Sequence, residues 1–224
     1  MNDPTESLTN AVRMLMVHVA RFLNRITRGK LRPAHITILS LLGHVPVAYF
    51  LWEGRPIRAA VCLAFFGLMD ALDGALAREQ KTASKFGMFF DAVTDRIKEI
   101  IVFSALTVFV YSQWGYFAGY GTMPLWTIPV AVGTSLLVSY VKAKGEMAVA
   151  AGMHDRQALN RAFSQGIARY EIRTALLITG LITGLLPSML NVIIAFNLAT
   201  VAMRFQEVAR LLHVEDAKAR KAQK

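Results

Sequence analysis

Cysteine is almost absent: Cys62 stands alone among 224 residues, so no internal disulfide can staple the fold. Its apolar setting suits a small buried hydrophobe rather than a reactive thiol. Charge is scarce too. Asp, Glu, Lys and Arg make up 18% of the chain, against about 25% in a typical soluble domain. Acids are the scarcer sign, 15 against 25 bases, for a formal net charge of +10. The five histidines, His18, His35, His44, His154 and His213, show no H-x-x-H or other ligand spacing, which excludes a histidine metal site and leaves them structural. A compact apolar leader with a small-residue cleavage site is also missing. Residues 1–30 are basic throughout, so the N-terminus is expected to be retained.

What is abundant is apolar sequence, 54% of the chain, arranged in long runs. Runs of about 20 residues are what a helix needs to cross a bilayer. The chain is therefore expected to be an all-α integral membrane protein with six transmembrane helices, at roughly 35–53, 57–77, 87–112, 124–144, 167–186 and 189–211. Before them, Val12, Leu15, Met16, Val19, Phe22, Leu23 and Ile26 recur at three- and four-residue steps, with Arg13, Arg21, Arg25 and Arg28 largely elsewhere around the helix. That pattern predicts an N-terminal interfacial amphipathic helix within residues 1–31. The whole of 1–224 reads as one membrane domain, with a core at 35–211 and a basic tail at 212–224. Residues 145–165 are too polar to span and are expected to form a connector over the site.

With six spans, all Lys and Arg except Arg55 and Arg58 are expected on or near the side shared by both termini. The positive-inside rule makes that side cytoplasmic, in a cell membrane crossed several times. The basic field suits anionic headgroups and phosphorylated substrates. It hugs the spans and shows no reading motif, so nucleic acid is not an expected partner. Trp52, Trp114, Trp126, Tyr116 and Tyr120 sit near the outer span ends, as an aromatic belt requires.

The informative stretch runs from Asp70-Ala-Leu-Asp73-Gly74 through Ala77-Arg78 to Gly87 and then Asp91-Ala-Val-Thr-Asp95. Asp70 and Asp73 lie three apart, Asp91 and Asp95 four apart, so on helices each pair shares a face. Four acids in apolar helices would cost about 10 kcal/mol or more uncompensated. A hard divalent cation is the compensation such oxygens favour. The spacing D-x2-D-G-x2-A-R-x8-G-x3-D-x3-D resembles the signature of the CDP-alcohol phosphotransferase family, with every specified position filled. Eight residue types at fixed offsets would coincide by chance with a probability on the order of 10⁻¹⁰.

The resemblance implies displacement of CMP from a CDP-linked lipid, CDP-diacylglycerol or an ether relative, by the hydroxyl of a polar alcohol. It implies that Asp70, Asp73, Asp91 and Asp95 surround one or two metal ions, Mg²⁺ by default and Mn²⁺ as the alternative. It makes Asp95 the general base, although reasoning from the residues alone does not separate Asp95 from Asp91. Thr37, Asp70, Gly74, Ala77, Arg78 and Gly87 are the expected CDP-binding positions, the small residues admitting the diphosphate close to the backbone. Leu31-Arg-Pro33-Ala34-His35-Ile-Thr37 is similar to the family's L-x-P-N-x-x-T element, with Ala34 in place of Asn. A homodimer is also implied.

The acceptor rests on a second set. Ser139-Tyr140-Val-Lys142-Ala-Lys144-Gly-Glu146 resembles an element of the branch that makes phosphatidylinositol phosphate or archaetidylinositol phosphate. Arg169 and Arg173, four apart, could grip one phosphate. Lys142, Arg156, Arg169 and Arg173 are thus the expected binding residues for the phosphate of an acceptor such as inositol 1-phosphate, with glycerol 3-phosphate as the alternative and Lys85 a further candidate. A cation transporter is the rival from another class. It is disfavoured because Arg78, Lys98 and Glu99 put the acids near one interface and the outer halves of the spans carry none.

Overall fold

The computed structural model describes residues 4–112, 123, 124, 126–150 and 170–222. Every regular element among them is a helix. The chain forms two compact units, Met1–Tyr116 and Phe117–Lys224.

The first unit holds α1 (Pro4–Ile26), α2 (Pro33–Trp52), α3 (Pro56–Glu79) and α4 (Lys85–Ser112). Proline opens α2 and α3, where its missing N–H and fixed φ are no handicap. Gly54, at φ 65°, makes the left-handed turn between them. Helix α1 packs on α3 through Met16 and Ala20, which are buried with Ile36, Ala75 and Leu76. Gln80 Nε2 ties the end of α3 to Asn24 Oδ1 at 3.0 Å and to the Leu31 carbonyl at 2.8 Å. The apolar stripe expected on α1 is therefore divided: one edge is used against α3, while Leu15, Phe22 and Ile26 remain exposed beside Arg13 and Arg25.

The second unit holds α5 (Thr127–Ala150), α6 (Tyr170–Thr183) and α7 (Leu186–Ala222). Asn197, fully buried on α7, donates through Nδ2 to Ser135 Oγ at 2.8 Å and Thr134 Oγ1 at 3.1 Å on α5. Such a contact satisfies polar groups that neither lipid nor a dry core could. A Cβ on Gly180 would lie 2.9 Å from the Leu186 Cα, so α6 and α7 meet at this glycine.

Among the described residues, α2, α3 and Leu186–Val214 of α7 are long and apolar enough to cross a membrane. Helix α4 is longer than either α2 or α3 but carries Asp91, Asp95, Arg96, Lys98 and Glu99. The last expected span ends at 211, whereas α7 runs on as helix to Ala222. Lys98 and Glu99, expected at the interface, are both buried. Trp114, Tyr116, Tyr120 and most of the 145–165 connector lie outside the described residues.

Candidate active site

Helices α2 and α3 bring two spaced pairs into register. Thr37 Oγ1 on α2 donates to Asp73 Oδ2 on α3 at 2.5 Å. One turn along, Ser40 Oγ lies 2.8 Å from Asp70 Oδ1 and 2.9 Å from the Phe66 carbonyl, its single hydrogen shared between two acceptors. The three-residue step on α2 matches the three-residue step on α3, so two hydroxyls meet two carboxylates on facing helices. Asp73, Thr37 and Ser40 are all buried.

Helix α4 brings the other two acids. Asp91 and Asp95 are half-buried. Lys98, one turn beyond Asp95 and 0% exposed, places Nζ 2.7 Å from Asp95 Oδ1 and 2.6 Å from Asp70 Oδ1. It thus ties α3 to α4 by a charge-assisted hydrogen bond to Asp70 and an ion pair with Asp95 in a dry setting. Beside it, Arg96 Nη1 pairs with Glu99 Oε2 at 2.5 Å. Three buried carboxylate oxygens have no hydrogen-bond partner, Asp70 Oδ2, Asp91 Oδ1 and Asp95 Oδ1; Asp95 Oδ1 meets the Lys98 ammonium as an ion pair, which leaves Asp70 Oδ2 and Asp91 Oδ1 over.

A buried carboxylate oxygen without a donor is unfavourable unless something else supplies positive charge. Hard oxygen donors of this kind fit Mg²⁺ or Mn²⁺. Among the described residues no three acidic, His or Cys side chains converge on one point as they stand.

The expected nucleotide positions surround these acids on α3 and at the start of α4. At Gly74 a Cβ would meet only the Arg78 guanidinium, Nη1 at 3.6 Å and Nη2 at 3.9 Å, so the backbone faces open space edged by that group. Arg78 is exposed, and Ala77 half-buried. Gly87 is exposed and its N–H donates to Ser84 Oγ at 3.0 Å. Lys85 is exposed. The hydroxyl of Thr37, expected on the nucleotide, is engaged by Asp73.

In the second unit, Arg173 on α6 is buried. Arg204 on α7 donates from Nη1 to the Val138 carbonyl at 2.9 Å and lies within electrostatic reach of Arg173 and Glu146. Lys142 is exposed and its ammonium is 3.8 Å from Glu146 Oε1. Arg156 and Arg169 lie outside the described residues. Arg204, Ser40 and Lys98 are the participants that sequence reasoning did not single out. Ser40 and Lys98 could have been found by stepping one turn from Thr37 and from Asp95; Arg204, a lone cation in an apolar run, was itself the signal.

Comparison with known proteins converges on one group. The family model described as CDP-alcohol phosphatidyltransferase matches residues 30–205. Phosphatidylinositol phosphate synthase of Mycobacterium marinum is 34% identical over 132 residues, 57% of this chain and 54% of that protein. The aligned stretch thus spans little more than half the length of this relative. Archaetidylinositol phosphate synthase of Methanothermobacter thermautotrophicus is 33% identical over 147 residues, 65% of this chain and 68% of that protein. The crystal structure of Mycobacterium tuberculosis phosphatidylinositol phosphate synthase with CDP-DAG bound shares the fold, with a TM-score of 0.67 at 24% identity over 87% of this chain and 94% of that one. A second crystal structure of that synthase, in complex with manganese and citrate, gives the same TM-score over 86% of this chain and 88% of that one. With the signature complete and the family model covering well over half its length, the chain belongs to the CDP-alcohol phosphatidyltransferase family.

Proposed function

We propose that this chain is a membrane phospholipid-synthesising enzyme that transfers a phosphatidyl group from CDP-diacylglycerol to inositol 1-phosphate and releases CMP. The observation that carries the reading is the cluster of four signature carboxylates with Asp70 Oδ2 and Asp91 Oδ1 buried and lacking any protein donor. Apolar surroundings and two unpaired acid oxygens call for a cation, and a doubly anionic pyrophosphate needs one too. Asp70, Asp73, Asp91 and Asp95 form the carboxylate cluster that would take up Mg²⁺, or the Mn²⁺ named in the related structure. When bound, the metal supplies charge neutralisation on the pyrophosphate and on the departing CMP.

The chain's own residues do the rest. Thr37 and Ser40 fix the rotamers of Asp73 and Asp70 by hydrogen bonding. The open backbone at Gly74 and the Arg78 guanidinium admit the cytidine diphosphate. The acceptor hydroxyl oxygen attacks the phosphorus that bears the diacylglycerol; its proton passes to Asp95 or Asp91, the bond to CMP breaks, and CMP leaves with those electrons. Lys142, Arg156, Arg169 and Arg173 hold the acceptor's phosphate, and the burial of Arg173 with Arg204 nearby supports a fixed anion there. The synthases named among the relatives support inositol 1-phosphate over glycerol 3-phosphate.

The reading extends to placement. The whole chain works as one membrane domain of six spans, α1 lies in the interface with its Arg residues toward lipid headgroups, the site faces the cytoplasm, and two copies form a homodimer. The basic asymmetry of the sequence supports the sidedness.

The test is CMP release from the purified chain in detergent with CDP-diacylglycerol and Mg²⁺, offering inositol 1-phosphate, inositol, glycerol 3-phosphate and serine separately, with and without chelator. Chelator-sensitive release with inositol 1-phosphate alone is expected. Release with another alcohol only would replace the acceptor and leave the reaction class standing; no release with any would overturn the reading.

A further inference from the structure

The least expected group in the first unit is the Lys98 ammonium. A lysine near a span end ordinarily extends its four-carbon stem outward so that the charge reaches water. Lys98 does the opposite: it is 0% exposed, and Nζ lies 2.6 Å from Asp70 Oδ1 and 2.7 Å from Asp95 Oδ1. These two acids come from different helices and different halves of the signature. An ammonium between them stands where a metal ion shared by Asp70 and Asp95 would stand.

Resting on the metal reading above, we infer that Lys98 is a built-in cation that fills one of the cation places of the carboxylate cluster, so that this chain binds a single divalent ion. The geometry divides the donors accordingly. Asp70 Oδ1 and Asp95 Oδ1 belong to Lys98; Asp70 Oδ2 and Asp91 Oδ1, buried and without partners, belong to the metal, with Asp73 close at hand on α3. A second dication beside Nζ would meet a like charge at a few ångströms in a medium that screens poorly. Lys98 is a positioning residue in this scheme: it neutralises two acids, orients Asp95 and ties α3 to α4.

The test counts ions. The purified full-length chain in detergent is titrated with Mn²⁺, and free Mn²⁺ is followed by its electron paramagnetic resonance signal. One bound Mn²⁺ per chain is expected for the wild type and for Lys98→Arg, and two for Lys98→Met and Lys98→Gln. Asp95→Asn is expected to leave the count at one with affinity changed less than threefold, whereas Asp91→Asn weakens binding at least tenfold. Two ions in the wild type overturn the inference and leave the metal reading standing. So does an unchanged count of one in a neutral Lys98 variant that elutes like the wild type. Should neither neutral variant fold, Asp95→Asn decides: tenfold weaker binding makes Asp95 a metal ligand and overturns the inference. No bound Mn²⁺ in the wild type overturns the metal reading itself.

Discussion

Two kinds of carboxylate oxygen sit in this site, those that already have donors and those that do not, and the difference predicts opposite responses to substitution. Asp73 depends on Thr37, whose hydroxyl reaches Oδ2 at 2.5 Å while both residues are buried. Thr37→Val keeps the shape and removes the donor, stranding a buried carboxylate oxygen. A loss of about 1–3 kcal/mol is expected, the usual magnitude for a buried group left unsatisfied, read as an earlier thermal melt in detergent, together with slower CMP release. Asp91 is the converse case. Its Oδ1 is buried with no partner in the protein alone, so Asp91→Asn relieves an uncompensated charge and is expected to leave the metal-free protein as stable as the wild type or more so. It should cost CMP release a factor on the order of 10² or more, whether Asp91 serves the metal or the proton. A melt in chelator paired with an activity assay checks both halves, and an Asp91→Asn protein that is less stable but fully active would contradict the account.

The helices succeed in placing these side chains because α2 and α3 lock in one register. Thr37 meets Asp73, Ser40 meets Asp70, and the next step of the same hairpin sets Gly43 against the Phe66 ring. A Cβ at Gly43 would sit 2.1 Å from Phe66 Cδ1, so the ring packs where only hydrogen is tolerated. Gly43→Ala is expected to destabilise by about 1–3 kcal/mol through overpacking and, by prising α2 from α3, to slow CMP release as well. Gly43→Ala with Phe66→Leu should recover part of the loss, a coupling that a double-mutant melt cycle measures. Much of this was legible in the chain. The proline starts, the helical acid pairs and the signature on α3 and α4 are local patterns, and the structure puts them on helices as expected. Less legible was whatever depends on a partner far along the chain. Nothing around Lys98 announces Asp70, 28 residues earlier, and the apolar stripe of α1 does not say which edge α3 will cover. The span count is harder still, because the charges that carry chemistry on α4 are the ones that dilute its hydropathy.

At the scale of the whole molecule the distribution of bases makes a claim about direction across the bilayer. Helix α2 has 20 residues, enough at 1.5 Å per residue to cross the hydrocarbon of about 30 Å. It runs from the Arg28–Arg32 basic stretch to the turn holding Glu53, Gly54 and Arg55. Helix α3 returns to Glu79, just before Lys81, with Asp70, Asp73 and Arg78 in its second half. The only Lys or Arg expected on the far side are Arg55 and Arg58, so the turn should face outward and the carboxylate end inward. Cys62 is the one native thiol, and replacing it with Ser clears the background for labelling. Arg55→Cys removes only a distant 3.9 Å pair with Glu53, exposed on both sides, and should leave the fold intact. In intact cells a membrane-impermeant maleimide is expected to label Arg55→Cys and to reach Lys81→Cys, also exposed, only after permeabilisation. Labelling with the two positions exchanged would turn the carboxylate end to the outside and overturn the cytoplasmic placement; labelling of both in intact cells would mean that the α2–α3 hairpin does not cross the bilayer at all.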